Sequence, residues 1–291
     1  MPSTKVLQTL MREIATTERA QRVPEPDLVM DDPAKVAAYI EAGAAGGVMA
    51  PVYLYHCANA CEVIRPGDVV MDFGCGPANQ LAMVAEMNPE CRFIGVDLSG
   101  PMLDRARAHV QALGLTNVEF RKGDISRALD FATGSTDAVI STMALHHLPT
   151  QEHLCAAFRE MARVLRPGGG VYVVDFGHLK SETSIRYFAN QYADRQPELF
   201  TLDYLYSLRA AFPMAAVKAA SLALGESVRV FATFIAPYMV AAKSTVRRHP
   251  EAGLRKRIRD ARTAMPRHQQ ADLNDLIAFF RLGGMRSALL A

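Results

Sequence analysis

The sequence predicts an α/β protein whose core is a doubly wound, mostly parallel sheet of seven strands, with an antiparallel hairpin near one edge. From about residue 64, apolar strand-like runs alternate with amphipathic helical stretches, the order that lays parallel strands side by side under helices on both faces. The first run leads into "MDFGCGPANQ" (71–80), a strand turning through a glycine loop into a helix. The last two runs, "SVRVFATF" and "YMVAAKS", are joined only by "IAP". That is too short for a crossover helix, so they pair as a hairpin.

Five strands read at "DVVMDFG", "CRFIGVDL", "VEFRKGD", "TDAVISTMA" and "GVYVVDFGHL", each apolar enough to be buried on both faces. Between them, Ser99 or Gly100 caps a helix with Pro101 in its first turn, and Gly114 follows its end. Thr150 is expected to cap a helix with the stripe Leu154, Phe158, Met161 and Leu165, stopped by Pro167–Gly168–Gly169. A helical region from about 202 to 224 breaks at Pro213 before the hairpin. Three parts follow: a helical cap or lid over residues 1–63, the core over 64–244, and a basic helical extension over 245–291. The cap begins with an amphipathic helix through Leu7, Leu10, Met11 and Ile14, and Gly43, Gly46 and Gly47 are candidate hinges.

Composition narrows the classes. With 291 residues, 50% hydrophobic and 21% charged, the chain suits one large α/β domain with additions and is neither disordered nor fibrous. The first residues carry no apolar core with a cleavage site, and the later apolar stretches are interrupted by charge and proline. A cytoplasmic protein with no membrane span is expected. Five cysteines, with no C-x-x-C pair, read as free thiols, Cys57 and Cys61 as two small buried groups on one helix face, and no metal is expected. The net charge of +2 hides ten Lys/Arg against four acids from residue 245 onward. There, "GLRKRIRDARTAM" keeps Leu254, Ile258, Ala261 and Met265 near one face, so the helix docks by that stripe and no nucleic acid is expected.

In a doubly wound sheet the ligand lies at the carboxyl ends of the strands, beside the first one. That gathers Gly74, Gly76, Asp97, Asp124 and the loop after Ala144 around one crevice. Gly74-x-Gly76 begins a dinucleotide fingerprint, but Asn79 stands where its third glycine belongs. Asp97 suits the two hydroxyls of a ribose, which NAD and an adenosyl ligand share. Asp72 discriminates: a carboxylate beside the loop favours an ammonium or sulfonium ligand and repels a pyrophosphate.

Five ordered pieces then resemble one family: "VVMDFGCGPA", "GVDLSGPML", "KGDIS", "STMALHHL" and "VLRPGGGVYVVD". Residues 64–180 are similar to the core of a class I S-adenosylmethionine-dependent methyltransferase with a Rossmann-like sheet, of the small-molecule branch that includes the ubiquinone and menaquinone biosynthesis enzymes. The resemblance implies S-adenosylmethionine as cofactor, leaving as S-adenosylhomocysteine. It implies that Gly74 and Gly76 admit the methionine part, with Cys75 beside it, and that Asp72 steers the ammonium. Asp97 would take the ribose, Leu98 and Met102 the adenine face, Asp124 and Ile125 the adenine edge, and the loop through Met143 would close over the donor.

Removal of an acceptor proton calls for a base at the crevice mouth, where His146 and His147 follow the fourth strand. His146 is expected as the base and His147 as the buttress of the loop. Acceptor recognition is expected outside the core, from Tyr53, Tyr55, His56, Tyr187, Tyr192 and Tyr204, for a small, apolar or aromatic metabolite. An NAD-dependent oxidoreductase and a non-catalytic module acting by association remain the alternatives, and a homodimer is compatible.

Overall fold

The protein is described by a computed structural model over residues 4–26, 32–43 and 46–291, and opens with the helices α1 (Thr4–Ala15), α2 (Pro33–Gly43) and α3 (Ala50–Cys61). The alternating part runs β1 (Val69–Phe73), α4 (Asn79–Met87), β2 (Arg92–Asp97), α5 (Gly100–Ala112), β3 (Val118–Lys122), β4 (Thr136–Thr142), α6 (Gln151–Val164) and β5 (Leu165–Phe176). After it come α7 (Glu182–Ala189), α8 (Glu198–Ala210), α9 (Met214–Ser221), β6 (Val228–Ala232), β7 (Met239–Ser244), α10 (Ala252–Ala264) and α11 (Arg267–Leu282).

The strands form one seven-stranded sheet in the order β3-β2-β1-β4-β5-β7-β6. The first five run parallel, and β7 lies antiparallel between β5 and β6, so the hairpin forms the edge. The order reverses beside β1, which opens a crevice where β1 and β4 end. Apolar side chains such as Phe73, Phe93, Ile140 and Tyr172 are fully buried. The near-continuous apolar runs of the sequence reflect this two-sided covering.

Local signals behave as their chemistry requires, with three differences. Ser99 caps α5, its Oγ accepting from the Met102 amide at 3.2 Å, and Pro213 separates α8 from α9. Thr150 precedes α6 without a side-chain cap, because its Oγ1 engages His153 Nδ1 at 2.9 Å instead. Pro167–Gly168–Gly169 follows α6 but is drawn into the start of β5, with a pairing irregularity opposite Thr136 and Ala138. Helix α1 forms with another face inward: Val6 and Leu10 are buried, while Leu7, Met11 and Ile14 are each more than half exposed. The cause is Glu13, whose carboxylate accepts from the Lys180 and Ser181 amides at the start of α7 (2.9 and 3.2 Å) and so turns its side of the helix inward.

Helix α10 buries Leu254 and Ile258, and its Arg255 and Arg257 donate to the carbonyls of Pro250, Ala288 and Met87. The chain end is tied to α3 through Glu62, which accepts from Lys243 Nζ at 2.6 Å, Ser287 Oγ at 2.8 Å and the Ala288 amide at 2.6 Å. Cys57 and Cys61 are free and buried. Among the described residues no helix is long and apolar enough to cross a membrane.

Candidate active site

A cavity of about 250 Å³ opens at the carboxyl ends of β1, β2, β3 and β4. Its floor is the loop after β1. Gly74 has φ +79°, and a Cβ there would come within 2.4 Å of the Ala144 Cβ, so only glycine lets the loop pass the chain leaving β4. Gly76 has φ +51° and open space where its Cβ would stand. The loop is pinned by the Gly74 and Cys75 amides, which both donate to the Val96 carbonyl.

Asp97 ends β2 and is held rigidly. Its Oδ2 accepts from the Gly76 amide at 2.8 Å and its Oδ1 from the Ser99 amide at 2.9 Å. Burial nonetheless raises its pKa above the ordinary carboxylate value. Asp72, at the end of β1, is only 3% exposed and its Oδ1 has no hydrogen-bond partner. Burial, with Asp97 adding like charge, pushes its pKa up to about 8. A buried carboxylate at a cavity wall without a partner suits a cation or a hydrogen-bond donor. Asp124 lines the wall after β3, with Ser126 donating twice to its Oδ1 (2.9 and 2.7 Å) and Arg127 3.1 Å from its Oδ2.

Cys75, Leu98, Met102, Ile125 and Met143 complete much of the lining. Met143 holds a left-handed φ of +52° while its amide donates to the Val174 carbonyl at 2.8 Å. Such a backbone is costly for a residue with a Cβ and concentrates at sites that need a fixed geometry. All ten cofactor-side residues singled out in the sequence therefore border one cavity.

The acceptor-side expectations need correction. Of Tyr53, Tyr55, His56, Tyr187, Tyr192 and Tyr204, only Tyr53 lines the cavity. Tyr55 stacks on Phe280, and His56 is fully buried with Nδ1 2.7 Å from the Tyr172 hydroxyl. Tyr187 packs edge-on against Phe188, Tyr192 donates to Asp272, and Tyr204 lies against Phe176 and Phe200. These rings are packing for the helical layer. Tyr39 of α2 and Asn79, which sequence reading passed over as site residues, line the cavity instead. Gly43 is a close-packing point, since a Cβ there would stand 2.1 Å from Asn79 Nδ2.

The two histidines lie in different places from those expected, His147 on the cavity wall and His146 behind it. The His146 side chain is 3% exposed and does not line the cavity, with Nδ1 2.7 Å from Asp175 Oδ1 and Nε2 3.4 Å from Glu25 Oε1. It is the buttress. The His147 side chain, 28% exposed, forms part of the cavity wall, with Nδ1 3.2 Å from Glu25 Oε2. Glu25 arrives from the segment after α1, a strap anchored by Arg22. The Arg22 guanidinium donates to the carbonyls of His146, Leu148, Pro149 and Ala210 and lies over the Phe212 ring. No spacing rule connects residue 25 to residue 147, so the sequence held no signal for this contact.

Comparison with known proteins gives the stretch that forms this cavity a family likeness. Residues 70–169 match the protein family described as "Methyltransferase domain". Over this stretch the chain is similar to a methyltransferase domain, and the sheet around it has the fold of class I S-adenosylmethionine-dependent methyltransferases. This domain is 36% identical over 122 residues to an arsenite methyltransferase of Halobacterium salinarum, covering 41% of this chain and 30% of that protein. It is 32% identical over 128 residues to a tRNA (carboxymethyluridine(34)-5-O)-methyltransferase of Arabidopsis thaliana, covering 43% of this chain and 28% of that protein. The chain thus spans under a third of the length of these relatives. In fold, it resembles a SAM-dependent methyltransferase from Aquifex aeolicus with a TM-score of 0.51 at 18% identity, covering 74% of this chain and all of the other.

Proposed function

We propose that the protein transfers a methyl group from S-adenosylmethionine to a small, largely apolar or aromatic metabolite. The observation that carries this is Asp72: a buried, unpartnered carboxylate at the glycine loop suits the ammonium of the donor and would repel a dinucleotide pyrophosphate. The other residues fit the same ligand. Gly74 and Gly76 leave backbone exposed for the methionine part, Asp97 is positioned for the ribose diol, and Leu98, Met102 and Ile125 offer apolar surface for the adenine, with Asp124 at its edge. When bound, the donor supplies an electrophilic methyl group on a sulfonium.

The chain's own contribution is to hold the acceptor in line and to take its proton. His147 is the base in this reading, since its Nδ1 faces Glu25 and its other nitrogen remains for the acceptor. That nitrogen would take the acceptor's proton as the acceptor's electron pair bonds to the methyl carbon, the methyl carbon–sulfur bond breaking so that its electron pair leaves on the neutral thioether. Tyr39, Tyr53, Met143 and Leu148 supply the apolar wall beside it.

Arsenite is disfavoured as acceptor because Cys75 is the only cysteine among the described cavity residues, with Cys57 and Cys61 buried in α3. A nucleic-acid acceptor is disfavoured because Arg255 and Arg257 of the basic helix are engaged with backbone carbonyls. Titration calorimetry with S-adenosylmethionine and with NADH tests the reading: the first is expected to bind, and binding of NADH alone overturns it. Incubating enzyme and donor with metabolite extracts and searching for a mass gain of one methyl group then finds the acceptor.

A further inference from the structure

We propose that Glu25, carried across the site by the strap, is the positioning residue for His147, at the end of a relay that runs from Asp175 through His146 and Glu25. The inference rests on the methyltransferase reading above for its purpose, but its geometry stands on the described atoms. The Asp175 carboxylate accepts from both the His146 amide (2.9 Å) and Nδ1 (2.7 Å), which fixes that ring and leaves Nε2 toward Glu25. Glu25 accepts from the Ser207 hydroxyl at 2.8 Å, lies 3.4 Å from His146 Nε2, and brings Oε2 to 3.2 Å from His147 Nδ1. His147 Nδ1 is a buried nitrogen with no formed hydrogen bond and Glu25 Oε2 is the carboxylate oxygen beside it, at 3.2 Å, so the ring keeps its proton most favourably on that side and its basic lone pair on the opposite nitrogen.

Electrostatics agree with this geometry. The Glu25 side chain is 6% exposed, yet its pKa is lowered to about 2, because both histidines and Ser207 outweigh the burial that opposes ionisation. The pKa of His147 is raised: burial acts against its charge, and Glu25, Asp203 and Asp175 overcome it. Around His147 stand Glu25 and Arg22 on the strap, His146 beside it, Asp175 from β5, Asp203 from α8 and Asp97 from β2. Lys35 of α2 faces Asp203 in turn.

The test is the ring titration of His147, followed by nitrogen-15 NMR on the histidine-labelled 291-residue chain, without ligand and with S-adenosylhomocysteine. In the unmodified protein the midpoint is expected above the ordinary histidine value of about 6.5. In Glu25→Gln it falls by about one pH unit or more, as expected for loss of an opposite charge at this distance, and Glu25→Asp restores most of it. Should Glu25→Gln fold poorly, Ser207→Ala moves the midpoint the same way by less. An unchanged midpoint in a folded Glu25→Gln protein overturns the relay. So does stoichiometric zinc in the purified protein that shifts both histidine rings and is stripped by a chelator, which would make the three convergent donors a metal centre. Failure of S-adenosylhomocysteine to bind, with the ligand-free titration behaving as expected, would sink the methyltransferase reading and leave the relay standing.

Discussion

Asp72 makes donor binding depend on pH in a defined direction. Its pKa of about 8 in the ligand-free protein leaves it about 90% protonated at pH 7, and an ammonium beside it would restore an ordinary ionised carboxylate. Binding should therefore release about 0.9 proton at pH 7 and tighten about ninefold between pH 6 and pH 7. That window lies below the ammonium's own pKa of about 7.7–8.0, so the ligand stays more than about four-fifths charged and its own titration trims both figures by roughly a tenth to a fifth. Calorimetry in two buffers of different ionisation enthalpy reads the proton count directly. Asp72→Asn should weaken binding and remove both the proton release and the pH slope. The stability linkage has the same origin. A folded-state pKa raised above the unfolded one gives stability that is fully present below about pH 4 and is lost as pH rises through about 8. The ligand-free Tm of Asp72→Asn should accordingly fall less than that of the unmodified protein between pH 6 and pH 8. A flat affinity profile and no proton release in the unmodified protein would refute the assignment of Asp72 to the donor's cation.

Three further outcomes follow from the geometry. Gly74→Ala meets both a left-handed φ and the Ala144 Cβ at 2.4 Å, so Tm should drop and donor affinity fall at least tenfold by calorimetry; the backbone strain alone is about 1–2 kcal/mol. Ser99→Ala removes the cap of α5 and should cost about 1 kcal/mol in urea unfolding, with an unchanged m-value. Arg22→Ala frees four backbone carbonyls from their shared donor, and hydrogen exchange should quicken about tenfold or more over residues 16–26 and 145–150, while the sheet amides stay protected.

Much of this protein is written in short-range patterns. The seven strands, the Ser99 cap, the break at Pro213 and the edge hairpin each depend on neighbours within a few residues, where sterics and hydrogen-bond reach leave few solutions. The cofactor side was legible for a related reason: its residues end successive parallel strands, and parallel pairing brings strand ends together. Asp72, Gly74, Asp97 and Asp124 needed only the element order to be placed around one crevice.

The acceptor side depended on contacts that no local pattern encodes. His146 and His147 are adjacent in sequence, and only the approach of Asp175 and Glu25 decides which is buried and which faces the cavity. Aromatic residues look alike whether they line a pocket or fill a helical layer, so Tyr53 could not be separated from Tyr55 by type or spacing. The exposed stripe of α1 has the same cause: helical periodicity marks which residues share a face, but the partner for Glu13, at the start of α7, sets which face turns inward. The sequence by itself determined the sheet, its glycine loop and the ring of carboxylates at the strand ends. The His147–Glu25 contact, the burial of His146 and the choice among the aromatic rings came only with the folded chain, because each joins residues more than a hundred positions apart or turns on the facing of a helix.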